Sequence, residues 1–489
     1  MTIEPMPTKL PAWNDVLHQE AYIDGRWVDT DAARIAVSNP ADGSVVGSVP
    51  SLGIEYVEKA IAGASRALAA WRKLLPQERA DILLRWHELI LRHTDALAAL
   101  MTAEQGKPLA DAKGEIAYGA GFIRWFAEEA RRTYGEVIPS HLPDRKMLVQ
   151  KEALGVVALV TPWNFPSAML TRKAAAALAA GCTAIAVPSL ETPFSALALA
   201  ALAEEAGVPA GVFSVLTGDP ETLVGALCDS PVVRGLSFTG STAIGRMLLA
   251  RCAATVKRVS LELGGHAPFL VFPDCDVEQA AAAAVAAKYQ TSGQDCLAAN
   301  RIYVHEDIKE AFAAAFARAA QRLTVGPGFE PDVELGPLIN ERAVAKAREH
   351  VEDAIALGAR LLVGGDLDRR GGLFFAPTVL ADVTDEMKIV QEETFGPVAA
   401  ILGFSDEDAV IEAANATEYG LVAYVFTRDV SRACRVSDAL DYGMVAVNTV
   451  KLTGPPIPFG GVKQSGLGRE GSRHGIDEYL EQKYICLGL

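Results

Sequence analysis

The chain has 489 residues, of which 50% are hydrophobic and 22% are charged, and its formal net charge at pH 7 is -16. This length exceeds one ordinary hydrophobic core and predicts two or three domains, while the composition excludes a disordered or fibrous protein. The acidic balance, without any run of Lys and Arg, excludes nucleic acid as the expected partner.

The N-terminal sequence and the cysteines favour an intracellular protein. The N-terminal MTIEPMPTKLPAWNDV has no basic stretch followed by an apolar core, and no segment approaches about 20 uninterrupted apolar residues, so we expect neither a secretory signal nor a membrane span. Seven cysteines without paired spacing favour a reducing compartment, and the eight histidines form no cluster typical of a metal site. We therefore expect a cytoplasmic protein without a bound metal.

From Leu154 to Phe272, short apolar runs alternate with Ala- and Leu-rich stretches, which is the pattern of a parallel sheet covered by helices. The predicted elements are, in chain order, a strand over 155–161, a helix over 167–181, a strand over 183–187, a helix over 193–207, a strand within 211–218, a helix over 220–228 and a strand over 236–240. The repeated strand-helix unit predicts a doubly wound, Rossmann-type nucleotide-binding domain of the α/β class.

A second series of such units, from about Asp276 to Val447, predicts a second α/β domain. Its elements are a helix over 276–290, a strand over 301–305, a helix over 307–322 and a strand over 397–404. Two further segments, Tyr134–Gln150 and Tyr479–Leu489, are extended and of mixed polarity. They fit two descriptions equally well: strands that pair across a subunit interface, or ordinary edge strands.

Two motifs at the ends of predicted strands point to ligand binding. TPWNFP (161–166) is a rigid loop that brings the amide of Asn164 to the carboxyl end of a strand, where doubly wound folds bind ligands. Together with the backbone N–H of a nucleophile, this amide is suited to hold an oxyanion. FTGSTAIG (238–245) is a Gly-rich turn at a helix N-terminus and suits a pyrophosphate, although without the GxGxxG spacing the motif is weak alone.

Two candidate reactive side chains follow. LELGG (261–265) ends a strand with Glu262, whose apolar neighbours raise its pKa by desolvation and suit it to act as a general base. A carboxylate that caps the next element fits the same pattern about as well. SGQDC (292–296) places Cys296 after a Gly-containing bend, in a position open to substrate. Most free cysteines are instead small buried hydrophobic residues, as we expect of the other six.

Together these motifs resemble the NAD(P)-dependent aldehyde dehydrogenase superfamily over essentially the whole chain. The set is, in chain order, PWNFP, FTGSTxxG, ELGG, GQxC, EETFGP (392–397) and PFGGxKxSGxGRE (458–470). Longer stretches such as TPWNFPSAMLTRK and FGGVKQSGLGREGS are most similar to the succinate-semialdehyde dehydrogenase branch. The resemblance implies a cofactor-binding domain (1–133 and 151–261), a catalytic domain (262–470) and a small oligomerisation segment (134–150 and 471–489), in a homodimer or homotetramer.

The resemblance also implies a role for individual residues. Cys296 attacks the aldehyde, Asn164 and the Cys296 amide hold the oxyanion, a hydride passes to the nicotinamide, and Glu262 activates the water that hydrolyses the thioester. A carboxylate at this position favours release of a free acid over transfer to coenzyme A. Lys173 matches a lysine that assists near the active site. The matching cofactor-contact positions are Trp163, Gly240, Ser241, Leu263, Glu393 and Phe395.

The adenosine end of the implied cofactor site departs from the family pattern. Val187 stands where the family usually has a lysine that binds the ribose hydroxyls, and Pro188 and Ser189 follow it. Leu190 stands where an acidic residue favours NAD and a small polar residue tolerates the NADP phosphate. Without the lysine the extra phosphate has less to hold it. We therefore expect NAD as the cofactor, with NADP as the alternative.

The substrate end departs as well. Arg172 matches the first of two arginines that grip the distal carboxylate in succinate-semialdehyde dehydrogenases, but the second position is Gln290, and Thr453 lies in the region of the serine-bearing loop. A lost charge-assisted contact costs about 1.5 to 3 kcal/mol, so we expect succinate semialdehyde to be a poor substrate, whereas a longer semialdehyde still uses Arg172. Ala298 stands where a second cysteine often lies, which excludes a local disulfide switch.

The leading hypothesis is therefore NAD(P)-dependent oxidation of a small aldehyde that carries a distal carboxylate, to the free acid. A dehydrogenase for neutral or aromatic aldehydes is the alternative among enzymes. Outside enzymes, the alternative is a catalytically weak, ligand-binding relic of the fold. The presence of Cys296, Glu262, Asn164 and Glu393 argues against the relic.

Overall fold

The computed structural model describes residues 13–30 and 33–489, which form four β-sheets and their covering helices. The helices are α1 (Ile54–Trp71), α2 (Pro76–Arg92), α3 (Thr94–Gln105), α4 (Leu109–Glu129), α5 (Pro166–Ala180), α6 (Pro193–Glu205), α7 (Pro220–Asp229), α8 (Thr242–Ala253), α9 (Val277–Tyr289), α10 (Lys309–Ala320), α11 (Glu341–Ala356), α12 (Lys388–Gln391), α13 (Glu407–Asn415) and α14 (Val430–Ala439). The strands are β1 (Ala21–Ile23), β2 (Arg26–Val28), β3 (Arg34–Ser38), β4 (Val45–Pro50), β5 (Glu136–Ile138), β6 (Arg145–Ala153), β7 (Val156–Thr161), β8 (Thr183–Pro188), β9 (Phe213–Val215), β10 (Val233–Thr239), β11 (Arg258–Glu262), β12 (Ala267–Val271), β13 (Ala299–His305), β14 (Arg360–Val363), β15 (Thr378–Ala381), β16 (Val398–Phe404), β17 (Val422–Phe426), β18 (Met444–Val447), β19 (Gly466–Leu467) and β20 (Leu480–Gly488).

The first large sheet has the strand order β19-β11-β10-β7-β8-β9-β1-β2, and its five central strands are parallel. The parallel part begins at β7, moves outward through β8 and β9, and then returns to the other side of β7 for β10 and β11, while the earlier strands β1 and β2 extend the β9 edge. This reversal leaves a crevice between the carboxyl ends of β7 and β10, which is where doubly wound folds bind ligands. The prediction of a Rossmann-type α/β domain is confirmed.

Local sequence explains how this sheet is built. The residues of β7 and β8 are almost all buried, as expected for strands covered on both faces by helices. Between them, α5 begins with Pro166 in its first turn and ends at Gly181, which adopts the left-handed conformation (φ 93°) that a residue with a side chain rarely takes.

The second large sheet has the order β14-β15-β16-β13-β12-β17-β18, and it is parallel except at the β14 edge. Helices α9 and α10 pack on it through Val285, Phe312 and Phe316, and α11 packs through Val344 and Val351. The predicted second α/β unit is therefore present. The exact residue bounds given to the domains stay predictions.

The two extended segments pair with each other. Strand β20 runs antiparallel to β6, in register from Leu480 opposite Ala153 to Gly488 opposite Arg145, and β5 adds the third strand. Most side chains of β5 and β20 are exposed. The pairing of these segments with each other, within one chain, is the structural finding, whereas pairing with a second subunit stays a prediction.

One expectation about the cysteines is wrong. Cys182, Cys228 and Cys252 are buried as expected, but Cys275 is only partly buried, and Cys434 and Cys486 are exposed. The reason is position, because Cys434 lies on the amphipathic surface helix α14 and Cys486 lies on the exposed strand β20. Across residues 13–30 and 33–489, no helix combines the length and the hydrophobicity that crossing a bilayer requires.

Candidate active site

Three connecting segments bring the predicted reactive residues together between the two large sheets. Asn164 lies in the loop after β7, Glu262 ends β11, and Cys296 lies just before β13. Cys296 is 8% exposed and opens onto a cavity of about 400 Å³. This cavity therefore gives a small ligand access to an otherwise buried sulfur.

The backbone before Cys296 makes an unusual bend. Thr291, Ser292 and Gly293 are all in the left-handed region, with φ values of 48°, 57° and 72°. The conformation costs about 1 to 2 kcal/mol for each residue that carries a side chain. Two bonds hold the bend, from Ser292 Oγ to the Gly336 carbonyl (2.8 Å) and from Gln294 N to the Thr291 carbonyl (3.0 Å). Strain of this kind, held by its surroundings, is typical of functional sites.

Glu262 lies against the Cys296 thiol. Its side chain is buried, and Oε1 has no hydrogen-bond partner. Burial raises the pKa of Glu262 to about 7, although the nearby Arg172 opposes the shift. Burial and the neighbouring carboxylates of Glu262 and Asp295 likewise raise the pKa of Cys296 well above its usual value. The thiol therefore keeps its proton at neutral pH, and the neighbouring carboxylate is suited to accept that proton as the sulfur bonds to a substrate.

The glycines that follow Glu262 allow close approach. A Cβ on Gly265 would overlap the carbonyl of Cys296, and a Cβ on Gly264 would come within 2.9 Å of Glu393 Oε2. Gly265 also donates its N–H to Glu393 Oε1 (3.0 Å). The two glycines of the ELGG motif therefore let the Glu262, Cys296 and Glu393 segments meet.

The Asn164 amide is held next to the nucleophile. Its Nδ2 donates to the Gln294 carbonyl (3.1 Å), its Oδ1 accepts from Phe165 N (3.1 Å), and its backbone carbonyl accepts from Lys107 Nζ (2.7 Å). An amide group has two N–H donors, so one remains for a ligand. The side-chain amide therefore keeps one N–H donor for the predicted oxyanion contact.

Sequence reasoning missed Glu470, which is buried next to Lys173 and Arg172. The Lys173 ammonium pairs with Glu470 and also donates to Ser237 Oγ (3.1 Å), and Arg172 Nε lies 2.5 Å from Glu470 Oε2. Burial alone would raise the pKa of Glu470, but the two cations lower it below its usual value. The acidic end of the SGxGRE motif was the available signal, although no local pattern indicates its partners.

The predicted substrate residues line one end of the cavity. Arg172, Gln290 and Thr453 all face it, and so does the exposed Lys451. The Arg172 guanidinium stacks over Phe459 at 4.3 Å, and its Nη1 is buried without a hydrogen-bond partner. An unsatisfied buried cationic donor is suited to an anionic ligand group.

The carboxyl ends of β7, β10 and β11 fit the nicotinamide cofactor that the motifs imply. Ser241 caps α8 by accepting from Ile244 N (3.5 Å), which leaves the helix N-terminus facing the crevice beside Gly240. The Thr239 hydroxyl there is buried without a partner.

On the nicotinamide side, Trp163 and Phe395 meet edge to face with ring centroids 5.6 Å apart, and Phe395 takes a positive φ of 55°. Glu393 is an acceptor suited to a ribose hydroxyl, and burial raises its pKa to about 7. Leu263 is 5% exposed and packs under α8, where a Cβ on Gly245 would clash with it. The residues present fit such a cofactor.

The adenosine end contains a carboxylate that sequence reasoning passed over. Val187 and Pro188 are buried, so at this end Ser189, Leu190 and Glu191 are the half-buried side chains. Ser189 Oγ donates to Glu191 Oε2 (2.5 Å). Glu191 thus provides the negative charge that is absent one residue earlier at Leu190.

Comparisons with known proteins agree with this geometry. Residues 27–485 match the aldehyde dehydrogenase family. The chain is 57% identical to the non-phosphorylating aspartate-semialdehyde dehydrogenase of Halomonas elongata, over 97% of this chain and 96% of that one. It is 53% identical to the succinate-semialdehyde dehydrogenase [NADP(+)] GabD of Escherichia coli, over 97% and 99% of the two chains. A crystal structure of betaine aldehyde dehydrogenase from Staphylococcus aureus in complex with NAD+ superimposes with a TM-score of 0.95 at 35% identity, covering 97% and 96% of the two chains.

Proposed function

The chain belongs to the aldehyde dehydrogenase family, and from this premise we propose that it oxidises an aldehyde with a distal anionic group to the free acid through Cys296. As a member it is an oxidoreductase that uses NAD(P). The observation that supports the route through Cys296 is the contact between its thiol and the buried carboxyl of Glu262, whose pKa is about 7. The relic hypothesis has no support in this arrangement.

In the first half of the proposed reaction, the Cys296 thiol gives its proton to Glu262 while its sulfur bonds to the aldehyde carbon. The carbonyl oxygen becomes an oxyanion, which accepts hydrogen bonds from Asn164 Nδ2 and the Cys296 N–H. When bound, the nicotinamide supplies the acceptor for the hydride that leaves this carbon. What remains on Cys296 is a thioester.

In the second half, Glu262 acts on water. After it has returned its proton to solvent, its carboxylate takes a proton from a water molecule as the oxygen attacks the thioester. The carbon–sulfur bond breaks with its electron pair on the sulfur, which takes the proton from Glu262 to restore the thiol, and the acid leaves. The Lys173–Glu470 pair beside this site fixes two further charges near the reacting atoms without exposing them to solvent.

The cavity supports an anionic substrate. Arg172 Nη1 is a buried donor without a partner, Gln290 adds an amide and Lys451 lies exposed at the same cavity. Because Glu470 already neutralises part of the Arg172 charge, we propose a single directional contact to the anion rather than a two-arginine grip.

The test compares aldehydes of equal length. Wild-type kcat/KM is expected to favour glutarate semialdehyde over pentanal, and Arg172→Met to remove about 10- to 100-fold for the semialdehyde, as expected for a charge-assisted hydrogen bond. Pentanal should be oxidised at a similar rate by both proteins, which controls for the loss of the Glu470 contact. Equal activity on the two aldehydes, unchanged in the variant, would favour the alternative of a dehydrogenase for neutral aldehydes.

We also propose NAD rather than NADP as the preferred cofactor. The half-buried Glu191 carboxylate at the end of β8 repels a 2′-phosphate, and Val187 provides no cation to offset it. We further propose that the protein is cytoplasmic and forms a homodimer or homotetramer through the exposed β5-β6-β20 sheet.

A further inference from the structure

We propose that Lys107, held by Glu115, is a positioning residue that fixes the Asn164 amide for oxyanion binding. The inference rests on the proposed function, because it takes Asn164 as the oxyanion donor. Neither Lys107 nor Glu115 belongs to the motifs that identified the site.

Lys107 lies just after α3 and is 2% exposed. Its Nζ donates to Glu115 Oε2 (2.5 Å) and to the backbone carbonyl of Asn164 (2.7 Å), and it lies 4.2 Å from the centre of the Phe165 ring. An ammonium group has three N–H donors. Two of them bond to Glu115 and Asn164, and the ammonium also contacts the ring of Phe165, so both hydrogen bonds and the ring contact of this buried charge go to Glu115 or to the Asn164 loop.

Glu115 fixes the other side of the same loop. It lies on α4, and its Oε1 accepts from Ser167 N (2.9 Å) and Ala168 N (3.1 Å). These are amides of the first turn of α5, which have no partner within the helix. The carboxylate thus caps α5 with one oxygen and binds Lys107 with the other. Asn164 lies between the two attachment points.

This arrangement controls the direction of the Asn164 side chain. The loop between β7 and α5 is joined to the rest of the active site by few bonds, chiefly the one from Asn164 Nδ2 to the Gln294 carbonyl. The bond from Lys107 fixes the peptide plane from which the Asn164 side chain extends. A displacement of about 1 Å at such a position costs on the order of 100-fold in rate.

Lys107 is distinguished from a direct oxyanion donor by its bonds, because its ammonium binds a backbone oxygen and a carboxylate. A purely structural ion pair would affect every reaction of the Cys296 thiol, whereas a residue that positions the oxyanion donor affects only reactions that form an oxyanion. Two reactions separate these cases. Alkylation of Cys296 by iodoacetamide forms no tetrahedral intermediate. Hydrolysis of p-nitrophenyl acetate forms one, and it needs no cofactor.

The experiment uses the full-length double variant Lys107→Met/Glu115→Gln, which removes both charges together and keeps a side-chain oxygen to cap α5. We expect its rate of p-nitrophenyl acetate hydrolysis to fall about 10- to 100-fold, within the effect of losing an oxyanion donor. Alkylation of Cys296, followed on its own peptide by mass spectrometry, should stay within about 2-fold. Adding Asn164→Ala should cause little further loss, because the three residues act as one unit.

Lys113→Met is the matched control, since Lys113 lies on the same helix as Glu115 but in an exposed pair with Asp95. It should hydrolyse the ester at the wild-type rate. The proposal is overturned if the double variant hydrolyses the ester at the wild-type rate, or if its rate of Cys296 alkylation falls as much as its rate of hydrolysis. It is also overturned if Asn164→Ala lowers the hydrolysis rate of the double variant by the same factor as that of the wild type. If Cys296→Ala hydrolyses the ester at the wild-type rate, the proposed function is contradicted instead. Failure of the Lys107 proposal and failure of the proposed function therefore give different results.

Discussion

The reaction centre and the two ends of the cleft differ in how firmly the fold holds them. Cys296, Glu262, Asn164 and Lys173 are buried, at 8%, 3%, 5% and 1% exposure, and each lies in a segment bonded to a sheet or helix. At the ends, Thr453 and Lys451 are exposed, and the residues after β8 are half-buried. The groups proposed to react are therefore held more firmly by the fold than the exposed loop residues at the two ends of the cleft.

The largest expected effect concerns the centre. Cys296→Ala should lower kcat for aldehyde oxidation by about 10⁴-fold or more, because no other group there can hold the acyl intermediate. Steady-state reduction of the cofactor measures it. Cys434→Ala, which removes an exposed thiol from α14, should retain wild-type activity. If the Cys296→Ala variant still oxidised aldehydes at a substantial rate, Cys296 would not be the reaction centre, and the comparison with the ends of the cleft would fail.

Next in size is Glu262→Gln, which keeps the shape of the side chain and removes the base. Hydrolysis of the thioester should slow by about 100- to 1000-fold. Acylation also uses this carboxylate, but the variant removes one of the charges that raise the pKa of Cys296, and the thiolate that hydroxide forms as the pH rises attacks without a base. At pH 9, stopped-flow measurements should therefore give a burst of reduced cofactor equal to the enzyme, followed by slow turnover. A variant that turns over without a burst would assign the water activation elsewhere.

The pH profile sharpens the same point. The pKa of Glu262 is raised to about 7, so its carboxylate is present above pH 7 and lost as the pH falls. Wild-type kcat should decline about tenfold per pH unit below this value. This decline of kcat below pH 7 should be absent in Glu262→Gln. A profile that is flat from pH 5 to 8 in the wild type would contradict the proposed base.

A smaller change is expected at the substrate end. Gln290→Arg adds a second cation to the cavity that contains Arg172, and kcat/KM for succinate semialdehyde should rise about tenfold. Butanal, which has no anion, serves as the control and should change little. If kcat/KM changes equally for both aldehydes, the cavity does not recognise the distal carboxylate.

The smallest effect is expected at the adenosine end. Glu191→Gln should tighten NADP+ binding relative to NAD+ by about 2- to 5-fold, since a half-exposed charge contributes less than a buried one. Titration of intrinsic tryptophan fluorescence measures both dissociation constants without turnover. Glu205→Gln, an exposed carboxylate at the end of α6, makes the same charge change away from this end. If the ratio of the NADP+ and NAD+ dissociation constants is unchanged in Glu191→Gln, Glu191 does not discriminate between the two cofactors.

Much of the first domain could be predicted because proline and glycine mark its boundaries. Helix α5 lies within one residue of its predicted limits, and helix α6 begins at its predicted residue and ends two residues early. Strand β9 is only Phe213–Val215 within the longer predicted segment, because only those residues lie alongside β8. Apolar runs predict a strand, but its neighbour determines the length.

The residues that were missed bind across long separations. Glu470 contacts Lys173, which is 297 positions away, and Lys107 contacts Asn164, which is 57 positions away. A local pattern cannot indicate such pairs, since each residue looks like an ordinary surface charge. Glu191 was missed for a different reason, because the family pattern places the discriminating residue at the position of Leu190, one residue before this carboxylate.

The central claim is that Cys296 carries the acyl group and Glu262 releases it. Its most direct test is mass spectrometry of the Glu262→Gln protein after brief mixing with glutarate semialdehyde and NAD+ at pH 9. The account predicts one added glutaryl group per chain, located on the peptide that contains Cys296. An unmodified Cys296 after a measured burst of NADH, or the acyl group on another residue, would contradict it.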